Sequence, residues 1–289
     1  MHIYVVGNIT VDEIWRCASL PQKGESLHGE KTAQDIGGKG ANQAIVLSRC
    51  GLPVTLIAGS GNDYYGQWIH NTLSQESLLF YPQYAISTHS DTSIIFTTED
   101  DDNAIMTTTA AAEALTLDII EPLLADACPG DILLQQGNFS AAKTGSLFAL
   151  ARRKQMVTVF NPSPVHPAFA ALWPLVDIAV LNEHEARLLH PDPATTLIVE
   201  TRGALGARLY HHQGIIDVAA EPTTVVDTTG AGDTFLAVML ASALRRETRP
   251  DELALRHASR AAALTISRSG TLQAFPDANI LASLLQNNA

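Results

Sequence analysis

The sequence has little of what cross-linked, membrane-spanning or nucleic-acid-binding proteins need. Its 289 residues include only three cysteines, which lie far apart and form no CxxC pair, so neither a disulfide framework nor a cysteine zinc site is predicted. No apolar run approaches the length of a transmembrane helix, and no basic segment of a signal peptide opens the chain. The net charge of −12 would repel a nucleic-acid backbone. We therefore expect a cytoplasmic protein with no membrane and no nucleic-acid partner.

Several catalytic signatures are absent as well. No GxxxxGK[ST] loop occurs, which excludes the P-loop class of nucleotide-binding proteins. The ten histidines show neither HxH nor HExxH spacing, so no histidine metal site is predicted. Gly59 and Gly61 begin a dinucleotide-binding pattern, but Tyr64 stands where the third glycine is needed. Any nucleotide must therefore be bound by another kind of loop.

What the chain does have is a regular alternation of short apolar runs and helical patterns. The apolar, β-branched runs predict buried strands at Ile3–Val6, Val54–Ala58, Ile132–Gln135, Val157–Phe160, Ile178–Leu181 and Leu197–Val199. Helical patterns lie between them at Ala41–Cys50, Tyr65–Leu73, Asp118–Ala127, Ala141–Lys154 and Glu183–Leu189. This alternation predicts an α/β fold with a doubly wound, mostly parallel sheet and helices on both faces.

Two segments break the alternation. Asp12–Asp35 has no helical period, and Ser93–Thr98 and Ala104–Thr109 flank the polar turn Glu99–Asn103 as the strands of a hairpin would. We expect these segments to pair into a small β lid, discontinuous in sequence over residues 12–35 and 93–109, within one domain that spans residues 1–289. Such a flap beside the strand ends of a doubly wound sheet can cover a ligand.

The most informative segment reads VVDTTGAGDTF and precedes an apolar helical pattern. Gly230, Ala231 and Gly232 leave the N–H groups of a helix N-terminus able to converge on an anion, and Asp233 follows them. A carboxylate at this place can simply cap the helix. Asp227, however, puts a second acid before the glycines. Two acids beside an anion hole suit phosphoryl transfer, which needs donors for the developing charge and a base on the attacking hydroxyl.

A second glycine-rich segment reads DIGGKGANQA and also leads into a helix. Its glycines would let a ligand approach the backbone closely, and Asn42 in the first helical turn offers an amide to hydroxyl groups. By itself this segment could equally be a flexible helix entry.

Together the motifs resemble the ribokinase family of carbohydrate kinases, the pfkB type. The GGKGANQA and DTTGAGDTF segments resemble the two signatures of that family. Asn182–Glu185 resembles its NxxE motif, and Thr201–Gly206 resembles its nucleotide-binding TxGxxG motif. The likeness covers nearly the whole chain, with every motif in the order that the family has. It implies a ribokinase-like fold and an ATP-dependent kinase that phosphorylates a small sugar, a pentose or a ketohexose.

The resemblance also implies a role for each matching residue. Asp233 would be the catalytic base, and Gly230, Ala231 and Gly232 would form the anion hole for the γ-phosphate. The sugar would be bound by Thr10, Asp12, Gly38, Lys39, Asn42, Asn138 and Asp233. The nucleotide would be bound by Asn182, Thr201, Gly203 and Gly206.

Two kinds of cation are implied in addition to ATP. Asn182 and Glu185 would order the water shell of Mg²⁺, although without the family they are equally a helix cap and a solvated charge. A monovalent cation, usually K⁺, would lie beside the anion hole. Its ligands would be the Asp227 side chain and the carbonyl groups of Thr229, Thr265, Arg268 and Gly270. The resemblance further implies a homodimer that pairs through the lids.

The chain departs from ribokinases at two sugar-site positions, where Thr10 replaces an Asn and Asn138 replaces a Glu. We therefore expect D-ribose to be a poor substrate. Two alternatives remain open. A nucleoside kinase of the same fold would need a platform for the base, which Trp15 and Phe96 could supply. A non-catalytic sugar-binding protein on this fold would not need Asp233.

Overall fold

Strands and helices alternate along the chain in the computed structural model, which describes residues 1–98, 103–211 and 214–286. In chain order the strands are β1 (Ile3–Val6), β2 (Thr10–Cys17), β3 (Gly29–Gly37), β4 (Val54–Ile57), β5 (Leu79–Tyr81), β6 (Thr92–Thr97), β7 (Asn103–Thr107), β8 (Ile132–Gln136), β9 (Val157–Asn161), β10 (Ile178–Asn182), β11 (Leu197–Thr201), β12 (Ala207–His211) and β13 (Gly214–Val218). The α-helices are α1 (Lys39–Arg49), α2 (Tyr64–Leu73), α3 (Ala110–Ala114), α4 (Leu117–Leu123), α5 (Ala141–Arg153), α6 (Glu183–Leu189), α7 (Ala231–Arg245), α8 (Glu252–Ile266) and α9 (Ala278–Gln286). Short 3₁₀ helices cover Pro167–Leu175 and Gly203–Leu205.

The large sheet has the strand order β13-β12-β11-β10-β9-β8-β1-β4-β5. Its neighbouring strands are parallel except where β12 joins β11 and β13. From β1 the chain builds β4 and β5 on one side and then crosses to β8 on the other. This reversal is the switch point at which the loops of a doubly wound sheet open a ligand crevice. The predicted doubly wound, mostly parallel sheet is confirmed.

Apolar packing on both faces explains why the strands read as continuous hydrophobic runs. In β1, Ile3 and Val5 belong to the core that faces α1, α2, α7, α8 and α9. Tyr4 and Val6 belong to a second core, which faces α3, α4, α5, α6 and the 3₁₀ helix at Pro167–Leu175. Helices therefore cover both faces, as the alternation predicts. Among the described helices, none is long and apolar enough to cross a membrane.

The small sheet has the order β3-β2-β6-β7. Strand β2 pairs antiparallel with β3 and parallel with β6, which itself pairs antiparallel with β7. The two segments that break the alternation are thus joined, as predicted, while most of the turn predicted at residues 99–103 (residues 99–102) lies outside the described ranges. Because β2 begins just after β1 and β3 ends just before α1, the lid is rooted at the switch point.

One predicted helix is longer than the observed one. The pattern indicates Asp118–Ala127, whereas α4 covers Leu117–Leu123. Pro122 lies inside α4, has no N–H to donate, and strains the preceding turn. The backbone continues instead in short turns, in which Ala125 and Ala127 donate to carbonyl groups three residues earlier.

Candidate active site

The N-terminus of α7 provides the anion-binding part of the site. Gly230 precedes the helix with a φ of +75°, a left-handed conformation that favours glycine. The N–H groups of Gly232 and Asp233 lie in the first turn, where an α-helix offers no acceptor. A Cβ built on Gly232 would meet no described atom within 4 Å, so the space beside this turn is open. The turn can therefore receive an anion.

Asp233 is only 5% exposed, and side chains from other elements hold its carboxylate. Asn42 Nδ2 donates to Oδ2 at 3.0 Å, and Gln43 Nε2 donates to Oδ1 at 2.8 Å. Gln43 Nε2 also donates to Asn161 Oδ1 at 3.1 Å, while Gln43 Oε1 accepts from Gln136 Nε2 at 2.8 Å. The carboxylate makes no side-chain cap on its own helix. The capping interpretation is therefore not what the structure shows, and the two glycine-rich segments meet at Asp233.

Gln43, Gln136 and Asn161 are site residues that sequence reasoning missed. Gln43 lies inside the GGKGANQA segment, but the resemblance to the family implies no role for its side chain. Gln136 and Asn161 end two neighbouring buried strands, β8 and β9. Their only signal in the sequence is a polar residue at the carboxyl end of an apolar run, where the loops of a parallel sheet converge.

The root of the lid carries the predicted sugar ligands Thr10 and Asp12. Both are buried, and the Thr10 hydroxyl donates to Asp12 Oδ1 at 2.7 Å. The carboxylate lies over Gly37, where a Cβ would come within 2.0 Å of Oδ2. Burial raises the pKa of the Asp12 carboxyl above its usual value, although the hydrogen bonds from Thr10 and Ser93 oppose this shift. The lid root therefore holds a charge that is costly to keep.

Gly38 joins the lid to α1 and brings the backbone close to the loop after β1. Its φ is +88°, and a Cβ at this position would lie 2.9 Å from the Cα of Ile9. Both the conformation and the close approach require glycine. Lys39 follows as the first residue of α1. These two residues, like Thr10, Asp12 and Asn42, thus lie where the lid meets the crevice.

Two predicted sugar ligands carry a buried oxygen that lacks a partner. Asn42 Oδ1 and Asn138 Oδ1 accept no hydrogen bond within the described part of the chain. An unsatisfied buried acceptor costs about 1–3 kcal/mol, which a hydroxyl donor from a ligand would offset. Asn138 follows β8, on the opposite side of the switch point from Asp12. The pair is thus suited to a ligand with several hydroxyl groups.

Asn182 and Glu185 form a reciprocal cap on α6. Asn182 Oδ1 accepts from the Glu185 N–H at 2.9 Å, and Glu185 Oε2 accepts from the Asn182 N–H at 2.8 Å. The cap accounts for the local sequence pattern. It leaves Glu185 Oε1 without a hydrogen bond among the described residues, so that one carboxylate oxygen is left for a water molecule of hydrated Mg²⁺. The pair therefore fits the predicted ion.

The predicted nucleotide ligands Thr201, Gly203 and Gly206 lie around the 3₁₀ turn after β11. Gly203 is exposed with a φ of +55°, and a Cβ there would meet no described atom within 4 Å. Gly206 is buried, and a Cβ there would lie 2.0 Å from the Val218 carbonyl oxygen. Gly206 is thus needed for packing against the end of β13, whereas Gly203 faces open space.

The segments predicted to bind a monovalent cation lie side by side next to α7. Asp227 Oδ1 accepts from the Thr229 N–H at 2.9 Å, and Oδ2 accepts from the Gly270 N–H at 3.1 Å. The Ile266 carbonyl accepts from the N–H groups of Val226 and Asp227 at 2.8 and 3.2 Å. Main-chain bonds thus join the two segments directly before the anion-binding turn.

Thr265 joins the end of α8 to the first turn of α7, because its hydroxyl lies 3.0 Å from the Thr234 hydroxyl. Its carbonyl accepts from the Arg268 N–H at 3.1 Å. Across the described ranges, no cluster of three or more His, Cys, Asp or Glu side chains could hold a metal ion. The donor set that the family resemblance implies, the Asp227 carboxylate with main-chain carbonyl oxygens, is one that suits K⁺.

A cavity of about 690 Å³ opens beside the same segments. Its lining includes Pro222 and Thr223 on the chain leading to Asp227, Ala263 and Leu264 just before Thr265, and part of α9. Sequence reasoning missed this cavity, because its lining comes from three separate elements. Apolar side chains such as Ile280 and Leu284 line it together with polar ones such as Arg260 and Asn279, a mixed lining that suits a partly apolar group.

Comparison with known proteins agrees with this geometry. The chain matches the pfkB family carbohydrate kinase model over residues 2–278. A ribokinase of Bacillus subtilis is 30% identical, with 98% of this chain and 99% of that protein covered. The structure of a Giardia lamblia ribokinase superposes with a TM-score of 0.87 at 22% identity, covering 99% and 98% of the two chains. An Arabidopsis thaliana ribokinase, complexed with ribose and ATP, superposes with a TM-score of 0.81 at 22% identity, covering 99% of each chain. The chain belongs to the pfkB family of carbohydrate kinases.

Proposed function

We propose that this protein is an ATP-dependent kinase that phosphorylates a hydroxyl group of a small sugar, a pentose or a ketohexose. The observation that carries the proposal is the position of Asp233. A buried carboxylate, oriented by Asn42 and Gln43, lies in the same helical turn as the open N–H groups at Gly232. A general base and an anion hole therefore lie within one helical turn, as phosphoryl transfer requires.

In this reaction Asp233 accepts the proton of the attacking hydroxyl as the new O–P bond forms and the bond between the γ-phosphorus and the ADP oxygen breaks. The anion hole predicted at Gly230, Ala231 and Gly232 would stabilise the charge on the transferred phosphoryl group; of these N–H groups, that of Ala231 donates to the Thr228 carbonyl at 3.3 Å. Asn182 and Glu185 would hold the water shell of Mg²⁺, which would supply positive charge to the phosphates. We assign the base of ATP to the cavity beside Thr223, with Thr201, Gly203 and Gly206 as the other nucleotide contacts.

The sugar lies between the lid and the switch point. Asp12 accepts hydrogen bonds from hydroxyl donors, and the unpaired oxygens of Asn42 and Asn138 accept others. Gly38 and Lys39 complete this side. Because Thr10 and Asn138 replace an amide and a carboxylate of ribokinases, one charge-assisted bond to ribose is missing. We therefore expect another pentose, a deoxysugar or a ketohexose to be turned over better than D-ribose.

Assembly and location follow from the lid and the cysteines. On the edge strand β7, Ile105 and Met106 are 61% and 60% exposed, and an apolar edge favours pairing with a second copy. A homodimer through the lids is therefore expected, and light scattering at micromolar concentration should show twice the monomer mass. The three free cysteines fit a reducing, cytoplasmic compartment.

The alternative is a nucleoside kinase, which would need a platform for the base. Trp15 and Phe96 are register partners on the neighbouring strands β2 and β6, so their side chains share one face of the lid sheet. Trp15 lies three residues from Asp12 along β2, so this is the face opposite the Asp12 carboxylate. The aromatic pair therefore lies away from the predicted sugar ligands, and removing Phe96 should leave sugar turnover unchanged.

The experiment is an ADP-release assay over pentoses, deoxypentoses, ketohexoses and nucleosides, with wild type and Phe96→Ala. We expect the highest kcat/KM for a sugar other than D-ribose, nearly unchanged in Phe96→Ala. The double variant Thr10→Asn, Asn138→Glu should raise kcat/KM for ribose by about 10- to 150-fold, since it restores a charge-assisted bond worth about 1.5–3 kcal/mol. Preference for a nucleoside, or no phosphorylation of any compound, would contradict the proposal.

A further inference from the structure

Asp35, near the end of β3, binds a segment that lies 236 residues away in sequence. Its Oδ2 accepts from the N–H groups of Thr271 and Leu272, each at 2.9 Å, while its Oδ1 accepts from the Ile36 N–H at 2.8 Å. None of the roles described above uses this side chain. The bonds nevertheless run from the lid directly to the chain that follows the predicted cation ligands.

The geometry of the peptide bond shows what these bonds do to Gly270. In a planar trans peptide the N–H and C=O groups point in opposite directions. The N–H of Thr271 belongs to the same peptide as the Gly270 carbonyl, so its bond to Asp35 directs that carbonyl away from Asp35. The N–H of Gly270 is bound by Asp227 at 3.1 Å, and its φ is +90°. Carboxylates therefore fix the peptides on both sides of Gly270.

Asp35 also lies next to the sugar site. It is the direct register partner of Asp12 in the antiparallel pair β2–β3, so both side chains lie on the same face of the lid sheet. Like charges directly opposite each other destabilise a sheet. Burial, and to a smaller extent the charge of Asp35, raises the pKa of Asp12. Two acids are thus kept together at a cost, one facing the sugar crevice and one holding the Gly270 segment.

We propose that Asp35 is a positioning residue that couples sugar binding by the lid to monovalent-cation binding by the Thr265–Gly270 segment. When the lid closes on a sugar, the root of β3 is fixed, and Asp35 holds the Gly270 carbonyl toward the cation. A bound cation in turn fixes the segment that Asp35 grips and favours the closed lid. Because coupling between two sites is reciprocal, each ligand must tighten the binding of the other. This inference rests on the proposed sugar-kinase function.

The test measures binding rather than turnover. The best sugar of the panel is titrated by calorimetry without ATP, in KCl and in tetramethylammonium chloride of equal ionic strength. We expect K⁺ to tighten sugar binding of the wild type by about 5-fold or more, the lower end of typical couplings, and this ratio to fall to about 1 in Asp35→Ala. Asp35→Asn keeps one acceptor oxygen and should retain part of the ratio.

Glu30→Ala is the matched control, because Glu30 lies on the same strand, is exposed, and carries the same charge. It should keep the full wild-type ratio. Hydrogen exchange gives a second readout: sugar should slow exchange in residues 268–275 in wild type and Glu30→Ala, but not in Asp35→Ala. If Asp35→Ala fails to fold, Asp35→Asn carries the comparison.

A wild type that phosphorylates the sugar but binds it equally well in both salts would overturn the coupling and leave the kinase function intact. An Asp35→Ala variant with the full wild-type ratio would overturn it as well. If the wild type neither binds nor phosphorylates any sugar, the proposed function falls and the coupling falls with it.

Discussion

Asp233 and Asp12 are both buried carboxylates, and the protein holds them in different ways. Asp233 belongs to the floor, where α1 and α7 meet above β8 and β9, and both of its oxygens accept from amide groups. Asp12 belongs to the lid root, where burial raises the pKa of the carboxyl despite the hydrogen bonds from Thr10 and Ser93. The Asp233 carboxylate is thus satisfied before any ligand arrives, whereas the Asp12 carboxylate remains costly to keep charged.

This difference separates the tasks of the two regions. A preorganised base and anion hole need no rearrangement at the moment of reaction, so changes in the floor should affect kcat. A buried carboxylate with too few donors gains most when sugar hydroxyl groups arrive. Changes in the lid root should therefore affect sugar affinity, and they should improve rather than reduce the stability of the free protein.

The largest effect is expected from a substitution in the floor. Asp233→Asn should lower kcat by at least about 100-fold, because the contribution of a general base is of order 10²–10⁴. Asn42 can turn its amide so that its unpaired oxygen accepts from the new side chain, so the fold and the sugar Kd should change little. Steady-state kinetics, calorimetry and thermal unfolding check the three parts. A variant with more than half of the wild-type kcat would exclude Asp233 as the base.

The next largest effect is expected from a substitution in the lid root. Asp12→Asn removes an ionised acceptor and should weaken sugar binding by about 10- to 150-fold, the equivalent of about 1.5–3 kcal/mol for a charge-assisted bond. The same change should raise the Tm at neutral pH, since it removes a buried charge that lies opposite Asp35. Calorimetry with the sugar and thermal unfolding of the free protein measure the two results.

The Tm difference between Asp12→Asn and the wild type should depend on pH, because the Asp12 carboxyl titrates. The pKa of Asp12 is raised on folding, so the contribution of the carboxyl to stability is fully present below its unfolded pKa and is lost as the pH rises through the folded value. The advantage of Asp12→Asn should thus be largest at neutral pH and disappear below about pH 4, near the ordinary aspartate pKa. A variant that is less stable than the wild type at pH 7 would show that the lid root is not under electrostatic strain.

Glycine-rich motifs made the floor partly predictable. Gly38 and Gly230 have positive φ values that few other residues adopt, so their positions leave a strong trace in the sequence. The buried strands were equally visible, since each is a short apolar run. The lid was predicted only from a missing helical period, because β3 is exposed over most of its length and has no apolar face to reveal it.

The contacts between distant segments could not be predicted. Asp35 and Thr271 are far apart in sequence, and an aspartate in a strand gives no sign of which backbone it will meet. Helices α8 and α9 were not assigned either: α8 is rich in alanine, which favours a helix but marks no face. The fold follows from local patterns, whereas the amide and carboxylate contacts of the site depend on which loops the switch point brings together.

The smallest effect is expected from substitutions at two neighbouring glutamines of β8, only one of which contacts the floor. Gln136 and Gln135 are adjacent in β8, both are buried, and their side chains point to opposite faces of the sheet. Gln136 Nε2 donates to Gln43 Oε1, which keeps the Gln43 amide turned with its N–H toward Asp233. Neither polar atom of the Gln135 side chain has a partner among the described residues. The two residues are therefore neighbouring buried glutamines of which only Gln136 contacts the floor.

Gln136→Met keeps the length of the side chain but removes the donor that orients Gln43. The Gln43 side chain is then held only through its Nε2, which donates to Asp233 and Asn161, and losing about one hydrogen bond, or ~1.4 kcal/mol, corresponds to about tenfold in rate. We expect kcat to fall by about that factor while the KM for the sugar stays near the wild-type value. Gln135→Met should leave kcat unchanged and raise the Tm, because it removes a buried amide without partners. Equal losses of kcat in the two variants would mean that the strand, and not the bond to Gln43, maintains the floor.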